Sequence, residues 1–583
     1  MIARGSRPFG GLALSKSVLT LALFASTALT STLARADDDE FHVFRPGHLL
    51  LSRAVFVNNS VTITPSVTVL PPNCTLAPSC VTAIADGTYP TVFNNDTVDG
   101  SFGLTAKILL DELHLDGRQV RSLEVPSTTQ PADTKDHMVT SFSSKSELAL
   151  NLSLDRRTVT FMGYDAPIGA IDVSNSNTPF VVDPTNPVPS TYYRVVAEVD
   201  QNGRFHFTKT NAYSGNNGRA AIFNDRHNVF YTAGNAGNGS KTQPVGVIVG
   251  TGAQIMTEAD APLAQQPDPA QPTPVGSFNV SQLSQPIDKI GKDTNFRGLT
   301  VFNNVIYTTK GSGGNGVDTV YFIDTSGFDQ NGKPLACPSG VGVPSPTASL
   351  PTAPIVYNAA TVQTVGVTPY NMCVLKGFPT ILASKNTTAF PFGIWFADAN
   401  TLYVADEGNG TATYDPASNT FTAASSQTGA GLQKWVFSGG TWTLAYTLQA
   451  GLGLGVPYTV QNYPTGTNAV TKLPWSPATD GLRNITGRVN RDGTATIWAI
   501  TSTVSGSGDQ GADPNKLVMI TDKIAASTLP AGESFVTLRT ANAGEALRGV
   551  SFTPGTDLDH DREADGRGSC DRDHRFGDCH DDD

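Results

Sequence analysis

The chain has 583 residues and a formal net charge of −12, with 15% charged and 39% hydrophobic residues. So few charges exclude a coiled coil, and 56 Gly are too few for collagen. Together with 38 Pro, they favour many short strands joined by turns over long helices.

The charge is unevenly spread. Residues 1–36 carry Arg4, Arg7, Lys16 and Arg35 and no acid, a formal +4. Residues 556–583 carry ten Asp and one Glu against four Arg, a formal −7, which leaves −9 for the body. An acidic body without a Lys/Arg stripe argues against a nucleic-acid partner.

In chain order, 1–36 read first as a secretory signal peptide. Its positive residues precede a short apolar stretch over 18–29, and Ala34-Arg35-Ala36 supplies a small-x-small cleavage pattern. The stretch is too short and too interrupted to span about 30 Å of hydrocarbon. No later segment reaches 18 apolar residues, so no membrane span is expected. The expected location is secreted or periplasmic, and the expected state is a monomer. Six Cys suit an oxidising compartment. Proximity favours Cys74 with Cys80, Cys337 with Cys373, and Cys570 with Cys579, and no C-x2-4-C spacing points to structural zinc.

A pattern then recurs: a short apolar strand, a turn of Asn, Asp or Arg, and a second strand containing an aromatic. It occupies 147–165, 219–235, 297–311, 392–408 and 483–502. Each copy predicts a hairpin, with turns at Asp155-Arg156, Asn224-Asp225, Asn303-Asn304, Asp398-Ala399 and Arg491-Asp492-Gly493. Further strands are predicted at 192–199, 204–207, 245–249, 320–323, 432–437, 442–448, 517–520 and 535–538. Four antiparallel strands per unit make one blade of a β-propeller.

A sixth copy starts at Arg548 and stops by 555. It supplies one inner strand, and the N-terminal region holds three unassigned ones at 48–57, 107–113 and 119–125. The expected fold is therefore all-β: a six-bladed β-propeller over 41–555, closed by one C-terminal plus three N-terminal strands. Closure of this kind removes the open sheet edges. Successive copies begin 65 to 95 residues apart, more than the roughly 40–45 a blade needs, so the excess is expected in loops such as 261–274.

The stretch 391–408, with Phe392-Gly393-Ile394 and Tyr403-Val404-Ala405-Asp406, resembles the six-bladed NHL and gluconolactonase-like propeller superfamily. Residues 146–165 and 219–235 look similar to hairpins of secreted bacterial propellers, and the resemblance covers roughly 48–555. It implies a divalent cation such as calcium at one mouth of the channel. Its ligands would be a Glu opening an innermost strand, an Asn in an Asn-Gly opening, and the Asp that ends Tyr-x-x-Asp. Glu147 and Asp406 match the first and last, and Phe392 departs from the second. A hard cation needs about six oxygens. The resemblance thus leaves a metal-dependent hydrolase or lactonase as the alternative to a non-enzymatic binding or scaffold protein.

The repeats also carry a feature of their own. Arg219, Arg297, Arg483 and Arg548 each open an innermost strand, so all four are expected on one rim of the channel. The turns after the second strands place Tyr164-Asp165, Asn235, Lys310 and Asp406-Glu407 on the same face. Guanidinium groups suit carboxylate or phosphate, so a small anionic or carbohydrate ligand is expected there; a structural belt is the alternative. The run Gly311-Ser312-Gly313-Gly314-Asn315-Gly316 lacks the Lys-Ser/Thr of a phosphate loop and reads as a plain loop. In the tail, Asp557, Asp559 and Asp561 imitate a calcium loop, but Arg562 and Gly568 stand where Gly and Glu are needed. The tail, 556–583, is expected to be solvated and disordered.

Overall fold

A computed structural model describes residues 43–56, 63–70, 74, 80–87, 89, 103–128, 136–142, 144–236, 252–262, 275–278, 280, 295–312, 316–326, 335–337, 339–354, 372–507 and 511–558. By its contacts the chain divides into Met1–Phe41 and His42–Asp583, and every described residue belongs to the second unit. The signal-peptide reading, Cys570 and Cys579, the tail beyond 558, most of the 261–274 loop and the strand at 245–249 lie outside the described residues.

Six sheets form a six-bladed β-propeller. Blade 1 pairs Asn151–Leu152, Thr158–Tyr164, Arg194–Asp200 and Phe205–Thr210, from the innermost strand outwards. Blade 2 pairs Gly218–Asn224, Val229–Gly234, Ala253–Thr257 and Val275–Ser277. Blade 3 runs Phe296–Phe302, Val305–Lys310, Thr319–Ile323 and Met372–Leu375, with Val341–Gly342 added in parallel at its edge. Blade 4 is Pro391–Asp398, Thr401–Asp406, Gly431–Ser438 and Thr441–Leu448. Blade 5 is Ala478–Val489, Thr494–Val504, Lys516–Lys523 and Val536–Thr540. The closing blade has Glu545–Phe552 innermost, followed by Leu49–Val55, Thr105–Leu113 and Gln119–Glu124. The two ends of the propeller share a sheet, as the truncated sixth copy predicts.

The turns follow local chemistry. Phe302 faces Val305, so Asn303 and Asn304 form a two-residue hairpin loop, and both take positive φ, 49° and 60°. The first inner strand is shorter than its repeat suggests. Leu148 adopts φ 62°, and ladder pairing starts only at Asn151.

The core lies between blades, where large side chains interleave. Phe396 of blade 4 stacks on Phe302 of blade 3 at 4.5 Å and meets Trp442 edge-on at 5.9 Å. Near the axis the backbones themselves make contact. A side-chain carbon at Gly298 would collide with the Phe392 carbonyl, one at Gly393 with the Arg483 carbonyl, and one at Gly549 with the Leu148 carbonyl. Glycine after the opening residue is thus required by the close approach of adjacent inner strands. Hydroxyls pin these contacts. Ser52 Oγ accepts from Gly549 N at 2.8 Å and donates to the Leu148 carbonyl at 2.8 Å. Thr309 Oγ1 accepts from Gly298 N at 2.8 Å and donates to the Phe392 carbonyl.

Cys74 pairs with Cys80 and Cys337 with Cys373, at Cα separations of 5.6 and 6.3 Å. The second pair ties the long insertion of blade 3 to its buried outer strand. The pairs span 6 and 36 residues, so loop-closure entropy predicts losses of about 2 kcal/mol for Cys74→Ser/Cys80→Ser and about 4 kcal/mol for Cys337→Ser/Cys373→Ser. Urea unfolding of the two double variants ranks them, and equal midpoints would contradict the expectation.

Candidate functional site

Bulges at one height of the inner strands build the site. Pairing registers shift between Gly218 and Ala220, Phe296 and Leu299, Pro391 and Ile394, and Leu482 and Ile485. In the closing blade the shift falls between Leu51 and Arg53, opposite Arg548-Gly549. A bulge re-aims the side chain it carries. The residues at these positions are Arg219, Arg297, Phe392, Arg483 and Arg548, and all five are buried.

Three of the four arginines converge. Glu407, which directly follows the second strand of blade 4, has Oε1 3.8 Å from Arg297 and Oε2 3.4 Å from Arg483 Nε. Lys145, in the connection leading to Glu147, reaches Glu407 at 3.3 Å. Burial pushes the Glu407 carboxyl up, but Lys145, Arg297 and Arg483 outweigh it and hold it down at about 2. Burial pulls the Lys145 ammonium down to about 8, against the raising effect of Glu407.

Arg297 also donates to Ser146 Oγ and Ser312 Oγ, and its guanidinium lies 5.3 Å from the Phe392 ring centroid. Arg219 donates to Asn295 Oδ1 and, at 2.9 Å, to the Phe296 carbonyl. Burial first, and then the neighbouring Arg297, push the Arg219 guanidinium well below its ordinary value. The Nε–H groups of Arg219 and Arg297 are buried without an acceptor. Arg548 donates to the Phe142 carbonyl.

The other predicted residues take structural positions. Lys310 is buried against Asp318 at 2.8 Å and donates to the Ser312 carbonyl at 3.2 Å. Tyr164 donates to Glu147, under the guanidinium of Arg194 at 5.2 Å from the ring centroid. Asp165 is drawn outward to His137 and Lys209, each at 3.0 Å. Asn235 bridges to Asn295 and donates its N–H to the Asn217 carbonyl at 2.8 Å.

Glu147 and Asp406 do not fit a hard cation. Glu147 accepts from Thr140 Oγ1 at 2.7 Å, Ser141 N at 3.0 Å, Tyr164 and Asn217. Asp406 accepts from Phe390 N at 2.7 Å, Gly408 N at 3.0 Å and Gln433 Nε2 at 3.3 Å. Burial pushes the Asp406 carboxyl up to about 7 against those backbone donors. Protein donors therefore occupy the oxygens that calcium would need.

Lys145, Ser146, Asn295 and Ser312 were missed by sequence reasoning, because they come from connections rather than from the repeat. The Lys-Ser pair just before Glu147 was the one local signal. Beyond the bulges, the channel holds a cavity of about 270 Å³, lined by Asn151, Thr300, Trp395, Asn484, Thr486 and Ser551 among others.

No protein-family model matches the chain. No curated protein matches it either. Among solved structures, the chain is similar to a protein from Lactobacillus plantarum, with 9% identity and a TM-score of 0.30 over 87% of this chain and 99% of that one. It is also similar to an acylaminoacyl peptidase from Pyrococcus horikoshii, with 7% identity and a TM-score of 0.25. That match covers 76% of this chain and 43% of the peptidase.

Proposed function

We propose that the protein is an exported, non-enzymatic binding propeller that holds a small anion, a sugar acid or other carboxylate or a phosphate, at the rim where the inner strands begin. One observation carries this reading. Arg219 and Arg297 are neighbouring buried guanidiniums, and each keeps a buried Nε–H without an acceptor. Unsatisfied buried donors on like charges are costly, and an anion would relieve both costs. Partly exposed Lys145, Asn217, Asn295 and Ser312 surround them and offer further donors. Export accords with the two cysteine pairs, and no helix among the described residues is long and apolar enough to cross a membrane. The hydrolase reading is disfavoured, because the carboxylates it requires are already hydrogen-bonded.

A thermal-shift screen with phosphate, sugar acids and dicarboxylates tests the proposal. At a hundredfold excess over its dissociation constant, the bound anion adds about 2.7 kcal/mol of stability. Lys145 keeps 28% side-chain exposure, so Lys145→Met is expected to fold normally and to lose most of that gain. If no anion shifts the melting curve, the belt is structural and the proposal fails. If neutral sugars stabilise where anions do not, the binding site moves to the cavity beside Trp395.

A further inference from the structure

On the outer part of blade 1, away from the arginine rim, His206 stands among three carboxylates. It lies on Phe205–Thr210 and pairs in register with Glu198 on Arg194–Asp200. Its Nδ1 is 3.5 Å from Glu198 Oε1 and 3.1 Å from Glu258 Oε1, while Nε2 is 3.2 Å from Asp260 Oδ1. Glu258 directly follows Ala253–Thr257 of blade 2, so the cluster joins two blades. Glu198 is buried, and its Oε2 receives the Thr158 hydroxyl at 3.4 Å.

One imidazole nitrogen does not satisfy this arrangement. Nδ1 carries at most one hydrogen, yet two carboxylates converge on it, and 3.5 Å is the outer limit of a hydrogen bond. The two carboxylates also bring like charges together, with their ligand oxygens within 4.8 Å of each other. A divalent cation answers both problems. With metal–ligand bonds of about 2.1 Å, neighbouring ligand atoms lie about 3.0 to 3.4 Å apart. The Nδ1–Oε1 separation to Glu258, 3.1 Å, matches such an edge, the one to Glu198, 3.5 Å, is slightly longer, and the three ligand atoms lie within 4.8 Å of one another.

Asp260, an exposed residue, stands at the other ring nitrogen. A metal-bound histidine donates its other ring N–H to a carboxylate, which fixes the tautomer. Asp260 stands at Nε2, so a proton held there leaves the Nδ1 lone pair facing Glu198 and Glu258. We propose that Glu198, His206 and Glu258 bind a divalent transition-metal ion, zinc foremost, with Asp260 orienting the imidazole and water completing the coordination. One nitrogen with carboxylate oxygens suits zinc, whereas calcium takes oxygen alone. The ion would clasp blades 1 and 2, next to the bond from Ala259 N to Thr208 Oγ1 at 3.3 Å.

Isothermal titration of the full-length protein with zinc chloride at pH 7.5, in excess calcium to saturate the acidic tail, tests the site. One equivalent is expected to bind and to raise the melting temperature. His206→Ala and Glu258→Gln are expected to abolish that equivalent. Asp260→Asn is expected to weaken it about 10- to 100-fold, as for other groups that orient metal-bound histidines. Absence of a zinc equivalent in the wild type overturns the proposal. So does zinc binding in His206→Ala that matches the wild type, or displacement of zinc by calcium. If His206→Ala fails to fold, Glu258→Gln and Asp260→Asn decide the matter alone.

Discussion

Deleting residues 546–583 is expected to unfold the protein, whereas deleting 559–583 leaves its stability within about 0.5 kcal/mol of the full chain, the usual range for surface changes. Glu545–Phe552 is the innermost strand of the closing blade and pairs along the whole of Leu49–Val55. Leu547, Val550 and Phe552 are 1% exposed and pack with Trp498, Ile500 and Leu517 of blade 5. Burying three such side chains is worth about 5 to 9 kcal/mol, close to the whole stability of an ordinary domain, about 5 to 15 kcal/mol. The deletion also strips Leu49–Val55 of its inner partner and opens a sheet edge. The segment just beyond the strand adds local ties: Thr556 Oγ1 accepts from Gly47 N at 2.8 Å, and Arg156 meets Asp557 at 3.2 Å. Both lie before 559, so the shorter deletion spares them. Circular dichroism and urea unfolding of the two truncated proteins check the expectation. A chain ending at 545 with the full-length unfolding midpoint would refute closure by this strand.

The closure was legible because the sixth repeat kept its opening, Arg548-Gly549, after losing its second strand. The hairpins were legible for a similar reason: strand alternation and Asn/Asp turns are local signals. Elements whose partners are distant in sequence were not. Met372–Leu375 follows the long insertion of blade 3, and a run of four apolar residues does not reveal which sheet it joins. Val341–Gly342, two residues in parallel pairing, has no signature of its own.

The site was half legible. A repeated Arg marked a repeated backbone position, and the bulges explain why it recurs; close strand contacts add Gly after it at Gly298 and Gly549. The partners of those arginines were less visible. Ser146 and Ser312 are short polar residues in connections, whereas Glu407 was expected on the rim face from its place after the second strand. The acceptor of Arg548, the Phe142 carbonyl, likewise comes from a connection. The Glu198–His206–Glu258 cluster was unreadable for a geometric reason: its third member comes from the next blade, 52 residues after His206.

Breaking the pair Lys434–Asp522 is expected to cost more than any other single side-chain change named above. Lys434 lies on the third strand of blade 4 and Asp522 on the third strand of blade 5, and both side chains are fully buried. The ammonium is 2.9 Å from Asp522 Oδ2 and donates to Tyr446 Oη at 2.9 Å and to the Lys523 carbonyl at 2.6 Å. Its three hydrogens thus have three acceptors. Asp522 in turn receives the hydroxyls of Tyr446, at 2.7 Å, and Tyr403. A pair so placed adds little over an apolar pair of the same volume, but losing one member strands the other charge at about 3 to 5 kcal/mol. Lys434→Met keeps most of the stem and removes only the cation, so it isolates that cost. Asp522→Asn keeps the shape and strands the ammonium instead. Each is expected to lose about 3 to 5 kcal/mol in urea unfolding. The double variant Lys434→Met/Asp522→Asn removes both charges of the pair and leaves Glu533 as the remaining acid beside it, so its loss is expected to fall short of the sum, with a coupling of about 2 kcal/mol or more. Additive losses, or single variants within about 1 kcal/mol of wild type, would mean that water reaches the pair and that blades 4 and 5 are not held together through it.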